Sequence, residues 1–306
     1  MKNLFFSIIA AAICLQMSAQ ELNVASFNIR NNTPADYEHN DGWNQRVDIL
    51  CDMIRFSAFD AFGAQEVKHQ QLLDMLERLP EYAYMGVGRD DGATAGEYSP
   101  VFYNKEKFKC LGGGTFWLSE TPDEISRGWD ARLNRICSYA HLKDIKTKQE
   151  FWFFNCHLDH IGVIARRESV KVIIDKVNEI AGPKANVIIT GDFNVNQFSE
   201  PAATILSTGR VIDSFAAAEK KFAPSGTFNS WSIDNYTSSR IDHIFVSSDA
   251  KVSRYGVLTY HYWFDQKKGN SKFVDAPKEI ESEKREAHTL SDHYPINAFV
   301  SFPRKK

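Results

Sequence analysis

The stretch FWFFNCHLDH, residues 151–160, decides how this chain folds. Its first six residues are almost continuously apolar, too short for a membrane span and too unbroken for a half-exposed strand. They fit a strand buried on both faces. A second such run, NVIIT at 186–190, follows thirty residues later. Between them Val170, Ile173, Ile174, Val177 and Ile180 recur at helical spacing,. Strand, amphipathic helix and strand in that order predict an α/β unit whose two strands lie in one sheet. In both runs the apolar residues give way abruptly to polar ones: His157 and Asp159 after the first, GDFNVN (191–196) after the second.

The same alternation extends outward. ELNVASFN (21–28) and FDAFGAQE (59–66) read as strands ending at Asn28 and Glu66, and IDHIFVS (241–247) and INAFVSF (296–302) as strands near the end,. NQRVDILCDMIRF (44–56), with Asp41 as its cap, and HQQLLDMLERL (69–79) read as amphipathic helices,. Residues 261–290 are highly charged and lack clear periodicity, so they are expected to form a long surface excursion,. No internal repeat or low-complexity linker interrupts the chain, and residues 20–306 are expected to form a single domain.

The chain has 306 residues, 43% hydrophobic and 25% charged, with a net charge of −3. It can bury a large core, and it lacks the basic excess of a protein that holds nucleic acid through bulk charge. Residues 1–19 carry one lysine and then an apolar run of secretory length ending at Ser18-Ala19. This pattern predicts a signal peptide and export to the periplasm or beyond, with no stable membrane insertion. Cys51, Cys110, Cys137 and Cys156 show no zinc-like spacing,. Cys51 and Cys156 fall on apolar faces and are expected to be buried free thiols.

The polar residues at the strand ends are the candidate chemistry, because a sheet aims its strand ends into one crevice. Asn28, Glu66 and Asp292 offer oxygen ligands for a hard cation, Mg²⁺ or Mn²⁺. His293 with Asp242 makes a general base of defined tautomer. His157, Asp192 and Asn194 supply donors and a further carboxylate around a phosphoryl group. Each residue alone has a structural explanation, as a cap, a turn or a local ion pair; the set is harder to explain that way.

The ordered motifs FNIR (27–30), QE (65–66), HLD (157–159), GDFN (191–194), RIDHI (240–244) and SDH (291–293) resemble the endonuclease/exonuclease/phosphatase superfamily. That superfamily includes pancreatic deoxyribonuclease, abasic-site endonucleases, neutral sphingomyelinases and inositol polyphosphate 5-phosphatases. The resemblance implies a four-layer α/β/β/α sandwich, with two mixed sheets face to face, helices outside and the site at one open edge. It implies metal ligation by Asn28, Glu66 and Asp292, with His293 as catalytic base oriented by Asp242. His157 and Asn194 would bind phosphoryl oxygens, and Asp192 would position water or assist the leaving group. Arg30 stands where abasic-site enzymes place a second acid, which gives no support for a second metal.

DGWNQRVDIL (41–50), GVGRDDGATAGEYSPVFY (86–103), TFWLSETP (115–122) and HIGVIARRES (160–169) resemble extra segments of secreted bacterial members. Arg89, Glu97 and Tyr103 are candidates to line a substrate pocket, whereas Trp117 and Arg166 read as structural. Trp231 and Tyr236, within 227–240, are candidates to stack on a sugar or a base. The expectation is an exported, monomeric phosphoesterase acting on a small or glycan-derived phosphate ester. The alternatives are a nuclease, a sphingomyelinase-type phosphodiesterase for which YHYWF (260–264) could be a surface anchor, and a catalytically inert binding protein on the same fold.

Overall fold

The computed structural model describes residues 21–270 and 275–303. The leader expected at 1–19 lies outside them. The segments around 151–190 form the expected unit: strands Glu150–His157 and Val187–Asp192 pair in parallel, joined by the helix Val163–Ala181. They are central in a six-stranded sheet, where Val187–Asp192 also pairs antiparallel with Asp242–Ser247. A seven-stranded sheet holds Leu22–Asn28 at its centre, parallel to Ala61–Gln65 on one side and antiparallel to Ile296–Ser301 on the other.

Three apolar clusters define four layers. One lies between the sheets and joins Val24, Val300 and Ala298 from the seven-stranded sheet to Phe153, Ile188 and Ile244 from the six-stranded one. A second packs helices Trp43–Ser57 and His69–Arg78 on the outer face of the seven-stranded sheet through Leu50, Ile54, Leu72 and Met75. The third packs Val163–Ala181 on the outer face of the six-stranded sheet through Val170, Ile173 and Val177. The inner strands are covered on both sides, so their apolar runs are continuous. This is the α/β/β/α sandwich.

One polar seam crosses the inner layer. Asn155 donates from Nδ2 to the carbonyls of Ala64 (2.7 Å) and Pro100 (3.0 Å) on the opposite sheet. Its Oδ1 accepts from Gln65 Nε2 at 2.6 Å and from Thr190 Oγ1 at 2.9 Å. Gly63 makes room for it: a Cβ there would lie 2.1 Å from Asn155 Oδ1. An amide buried this deeply is tolerated because both its oxygen and its nitrogen are bonded.

Two expectations are corrected. The excursion expected at 261–290 lies at the surface but is built of strands where it is described: His261–Asn270 and Glu283–Thr289 pair as an antiparallel ribbon. The charges occupy both exposed faces, so no apolar alternation marks the strands; Lys268–Glu286 (2.6 Å) and Asp265–Arg285 (2.8 Å) link them instead,. Asp41 does not cap the helix that follows. Gly42 does, its N–H donating to Gln45 Oε1 at 2.8 Å, and Asp41 reaches His288 Nδ1 at 2.7 Å. Among the described residues Cys51, Cys110, Cys137 and Cys156 are all free, and all but Cys110 are buried.

Candidate active site

Strand register brings the polar ends together. Asn28 is level with Gln65, so Glu66 starts one residue beyond it. His157 pairs with Asp192, and Asp192 with Asp242, so the second sheet presents three functional residues in a row. His293 enters just before Ile296–Ser301 and bridges to Phe228. The two sheets meet at Asn28: its Nδ2 donates to Glu66 Oε1 and to Asp192 Oδ2, each at 3.0 Å. Glu66 Oε2 accepts from the backbone N–H and the side chain of Asn31, at 3.0 and 2.7 Å.

The backbone is bent to achieve this. Arg30, Glu66 and Asn194 all have left-handed φ, at 59°, 62° and 50°. Asparagine tolerates that conformation; for Arg30 and Glu66 it costs on the order of 1–3 kcal/mol each.

His293 Nδ1 and Asp242 Oδ2 are 2.9 Å apart and buried, and His293 Nε2 is 3.7 Å from Asp192 Oδ2. Burial opposes charge on the imidazole, but Asp242 and Asp192 outweigh it and raise its pKa. Burial raises the Asp192 carboxyl, against the pull of His293. His157 is different: burial, then Arg135 and Arg89, push its pKa well down, so it is neutral. Its Nε2 faces Asn194 Nδ2 at 3.1 Å. The two histidines therefore differ in charge because only His293 stands between carboxylates.

Two groups could hold a divalent cation. Asp192, Asp242 and His293 have ligand atoms within 4.8 Å of one another. In that group the imidazole stands between the acids, one ring nitrogen toward each, which is the geometry of a proton relay. Asn28, Glu66 and Asp292 form the other group, made of hard oxygen donors. Asp292 is raised by burial and by Glu66, against the pull of His293, Arg30 and Arg46; Arg30 Nη1 is 3.6 Å from Asp292 Oδ2. Glu66 is instead held low, against its burial, by the hydrogen bonds from Asn28 and Asn31, so the group pairs an ionised carboxylate with a buried acid that a small divalent ion would relieve,.

The pocket candidates fare unevenly. Arg89 and Glu97 pair at 2.5 Å, both largely buried, with Arg89 close enough to depress His157. Trp117 donates from its indole to the Arg89 carbonyl at 2.8 Å, and Arg166 to that of Asp159 at 2.9 Å; both are structural, as expected. Tyr103 is no pocket residue. It pairs with Ala61, at the end of that strand remote from Glu66, and packs against the core between the sheets. Its antiparallel strand runs away from the site, which the sequence does not disclose. Trp231 lies over Arg46, with the guanidinium 5.2 Å from its ring centroid, and Tyr236 is 75% exposed beside Phe228.

Sequence reasoning missed Asn31, Arg135 and Phe228. Arg135 joins Asp159 Oδ2 at 3.2 Å and His160 Nδ1 at 2.9 Å behind His157. Phe228 meets the His293 ring edge-on, with centroids 5.0 Å apart. Asn31 adjoins FNIR and was open to suspicion; the other two come from loops without a periodic signal.

The geometry defines a class, and comparison agrees. Residues 25–293 match the model of the Endonuclease/Exonuclease/phosphatase family. The chain belongs to that family. It is similar to an endonuclease/exonuclease/phosphatase family protein of Bacteroides thetaiotaomicron, with 44% identity and a TM-score of 0.86 over 94% of this chain and 100% of that one. It is similar also to a mannosyl-6-phosphatase of Bacteroides thetaiotaomicron VPI-5482, with 45% identity and a TM-score of 0.84 over 92% and 100%. A curated relative, uncharacterized protein L388 of Acanthamoeba polyphaga mimivirus, is 29% identical over 161 residues, and the match spans 60% of its length and 50% of this chain.

Proposed function

We propose that this chain is an exported, divalent-metal-dependent phosphomonoesterase acting on sugar phosphates. The observation that carries the reading is the pairing of His293 with Asp242 opposite the cluster of Asn28, Glu66 and Asp292. A base and a cation-binding group facing one crevice suit hydrolysis of a phosphate ester. The sugar is suggested by the mannosyl-6-phosphatase likeness, and export by residues 1–19,.

Asn28, Glu66 and Asp292 would hold Mg²⁺ or Mn²⁺, which when bound supplies Lewis acidity toward a phosphoryl oxygen. Asp242 holds Nδ1–H of His293, and passage of the Nε2 proton to Asp192, 3.7 Å away, leaves Nε2 to take a proton from water,. The water oxygen forms a bond to phosphorus in line with the ester oxygen, which departs with its bonding pair. Asp192, raised toward protonation, is placed to return a proton to it. Asn194 and His157 would face the equatorial oxygens, His157 donating to them once its proton is on Nε2 and Asn194 Nδ2 has turned from that nitrogen to the substrate,.

The test is release of inorganic phosphate from mannose 6-phosphate by the purified chain with Mg²⁺ or Mn²⁺ and with EDTA. Sphingomyelin and plasmid DNA serve as the diester arms. Metal-dependent release from the monoester supports the reading; activity confined to DNA or sphingomyelin replaces it.

A further inference from the structure

A second cavity, of about 550 Å³, lies beside the active site and uses none of the residues assigned to catalysis or metal. Its walls include Glu38, Asn40, Asp41, Trp231, Glu286 and His288. It shares a wall with the catalytic strand end, because the N–H groups of Asn229 and Ser230 donate to the Asp292 carbonyl at 2.8 and 3.2 Å.

His288 is 5% exposed. Its Nδ1 is bound to Asp41 at 2.7 Å, which fixes the ring, while Nε2 is buried behind the cavity wall with no hydrogen-bond partner. Glu286 Oε2, on the same wall, is 3.9 Å from Nε2. A buried ring nitrogen without a partner is costly, so a small shift of Glu286 that admits a donor to it would be favoured.

Trp231 forms an aromatic wall on a rigid base. Beneath it lies Arg46, wholly buried, its guanidinium tied to the carbonyls of Asp41, Ile29, Leu290 and Arg30. Trp231 and the preceding Ser230 both have left-handed φ, 65° and 52°, in the turn that presents the indole.

The charge of the cavity narrows its ligand. Glu38, Asp41 and Glu286 face it; Lys268 offsets Glu286 at 2.6 Å and buried Arg46 partly offsets Asp41, which leaves the acids in excess. An anion is repelled there. A cation would find His288 and Glu286, but among the described residues no third His, Cys or carboxylate ligand atom joins them in a compact group. A neutral polyhydroxylated ring fits better: its C–H face would lie on the indole, and its hydroxyls would donate to the carboxylates and to Nε2.

We infer that this cavity is a glycosyl subsite, binding an uncharged sugar unit of the substrate while its phosphate occupies the His293 site. The inference rests on the sugar-phosphate reading above, and it divides the substrate by charge between two adjoining cavities.

Calorimetric titration of the full chain with methyl α-mannoside, which carries no phosphate, tests it in EDTA. Wild type should bind, and Trp231→Ala and Glu286→Gln should each weaken binding roughly tenfold or more, the size of one aromatic or hydrogen-bonding contact. Trp231→Phe should recover most of the loss. Glu286 is on the surface ribbon, so its variant is informative even if a change at His288 impairs folding. Absence of binding, or binding indifferent to Trp231 and Glu286, overturns the subsite. A parallel titration with Zn²⁺ or Ca²⁺ that shows a site dependent on His288 and Glu286, without mannoside binding, also overturns it in favour of a cation site. The readout needs no turnover. A chain that binds the mannoside but hydrolyses no phosphate ester fails the phosphoesterase reading alone, and one that hydrolyses mannose 6-phosphate without this binding loses the subsite alone.

Discussion

His293 and Asp242 come from positions 51 residues apart and meet at 2.9 Å, Nδ1 to Oδ2, with both side chains buried. The imidazole has no other ring nitrogen to spare: Nε2 is aimed at the crevice near Asp192. Replacing His293 with Ala should lower kcat by about 10²–10⁴-fold or more, the usual contribution of a positioned base. Steady-state assays on mannose 6-phosphate, with circular dichroism to verify folding, check this. Wild-type turnover by the variant would remove His293 from the mechanism.

Asp242→Asn should retain the fold and lose most of the activity, because an amide no longer selects the Nδ1–H tautomer or balances the imidazolium. Rescue is not expected from added metal. A variant with unchanged kcat would show that Asp242 serves packing alone.

Glu66 has its two oxygens divided between Asn28 and Asn31. Glu66→Gln should weaken Mn²⁺ binding measured by calorimetry at least tenfold, and EDTA should silence the wild-type enzyme reversibly. Unaltered Mn²⁺ affinity would favour the Asp192, Asp242 and His293 group as the metal ligands.

Acid stability should depend on Asp159. Burial alone would raise its carboxyl, but the N–H groups of Gly162 and Ile161, followed by Arg132 and Arg135, hold it well below the ordinary 3.8. A folded pKa below the unfolded one gives stabilisation that is complete above the unfolded value and fades as pH falls below about 4. Asp159→Ala also strands the buried Arg135, so it should cost about 3–5 kcal/mol at neutral pH,. Urea melts at pH 7 and pH 3 should show the variant's deficit shrinking in acid.

Gly63→Ala should destabilise the protein through the inner layer, since the new methyl collides with the Asn155 amide and the Thr190 hydroxyl. A loss of about 1–3 kcal/mol in urea unfolding is expected for overpacking at this seam. A neutral result would mean that the sheets can slide apart there.

The sandwich was legible because its inner strands are covered on both faces: FWFFNC and NVIIT could hardly be anything but buried strands. The site was legible because it sits at strand ends, where a polar residue after an apolar run stands out. The ribbon at 261–289 was not legible, since its strands bury too little to impose alternation. Tyr103 was misplaced because a sequence does not reveal which end of an antiparallel strand faces the crevice. Arg135 and Phe228 were missed because loops carry no period, and only strand register brings them beside His157 and His293.

The left-handed backbone at Glu66 has a corollary. Glycine would sit at φ 62° without strain,, so Glu66→Gly relieves the chain and deletes its carboxylate in one change. The hydrogen bonds from Asn28 and Asn31 would go with the carboxylate, and a buried donor left without a partner costs about 1–3 kcal/mol, as much as the strain relieved. The contacts that aim this carboxylate are thus the ones that hold its unusual backbone in place.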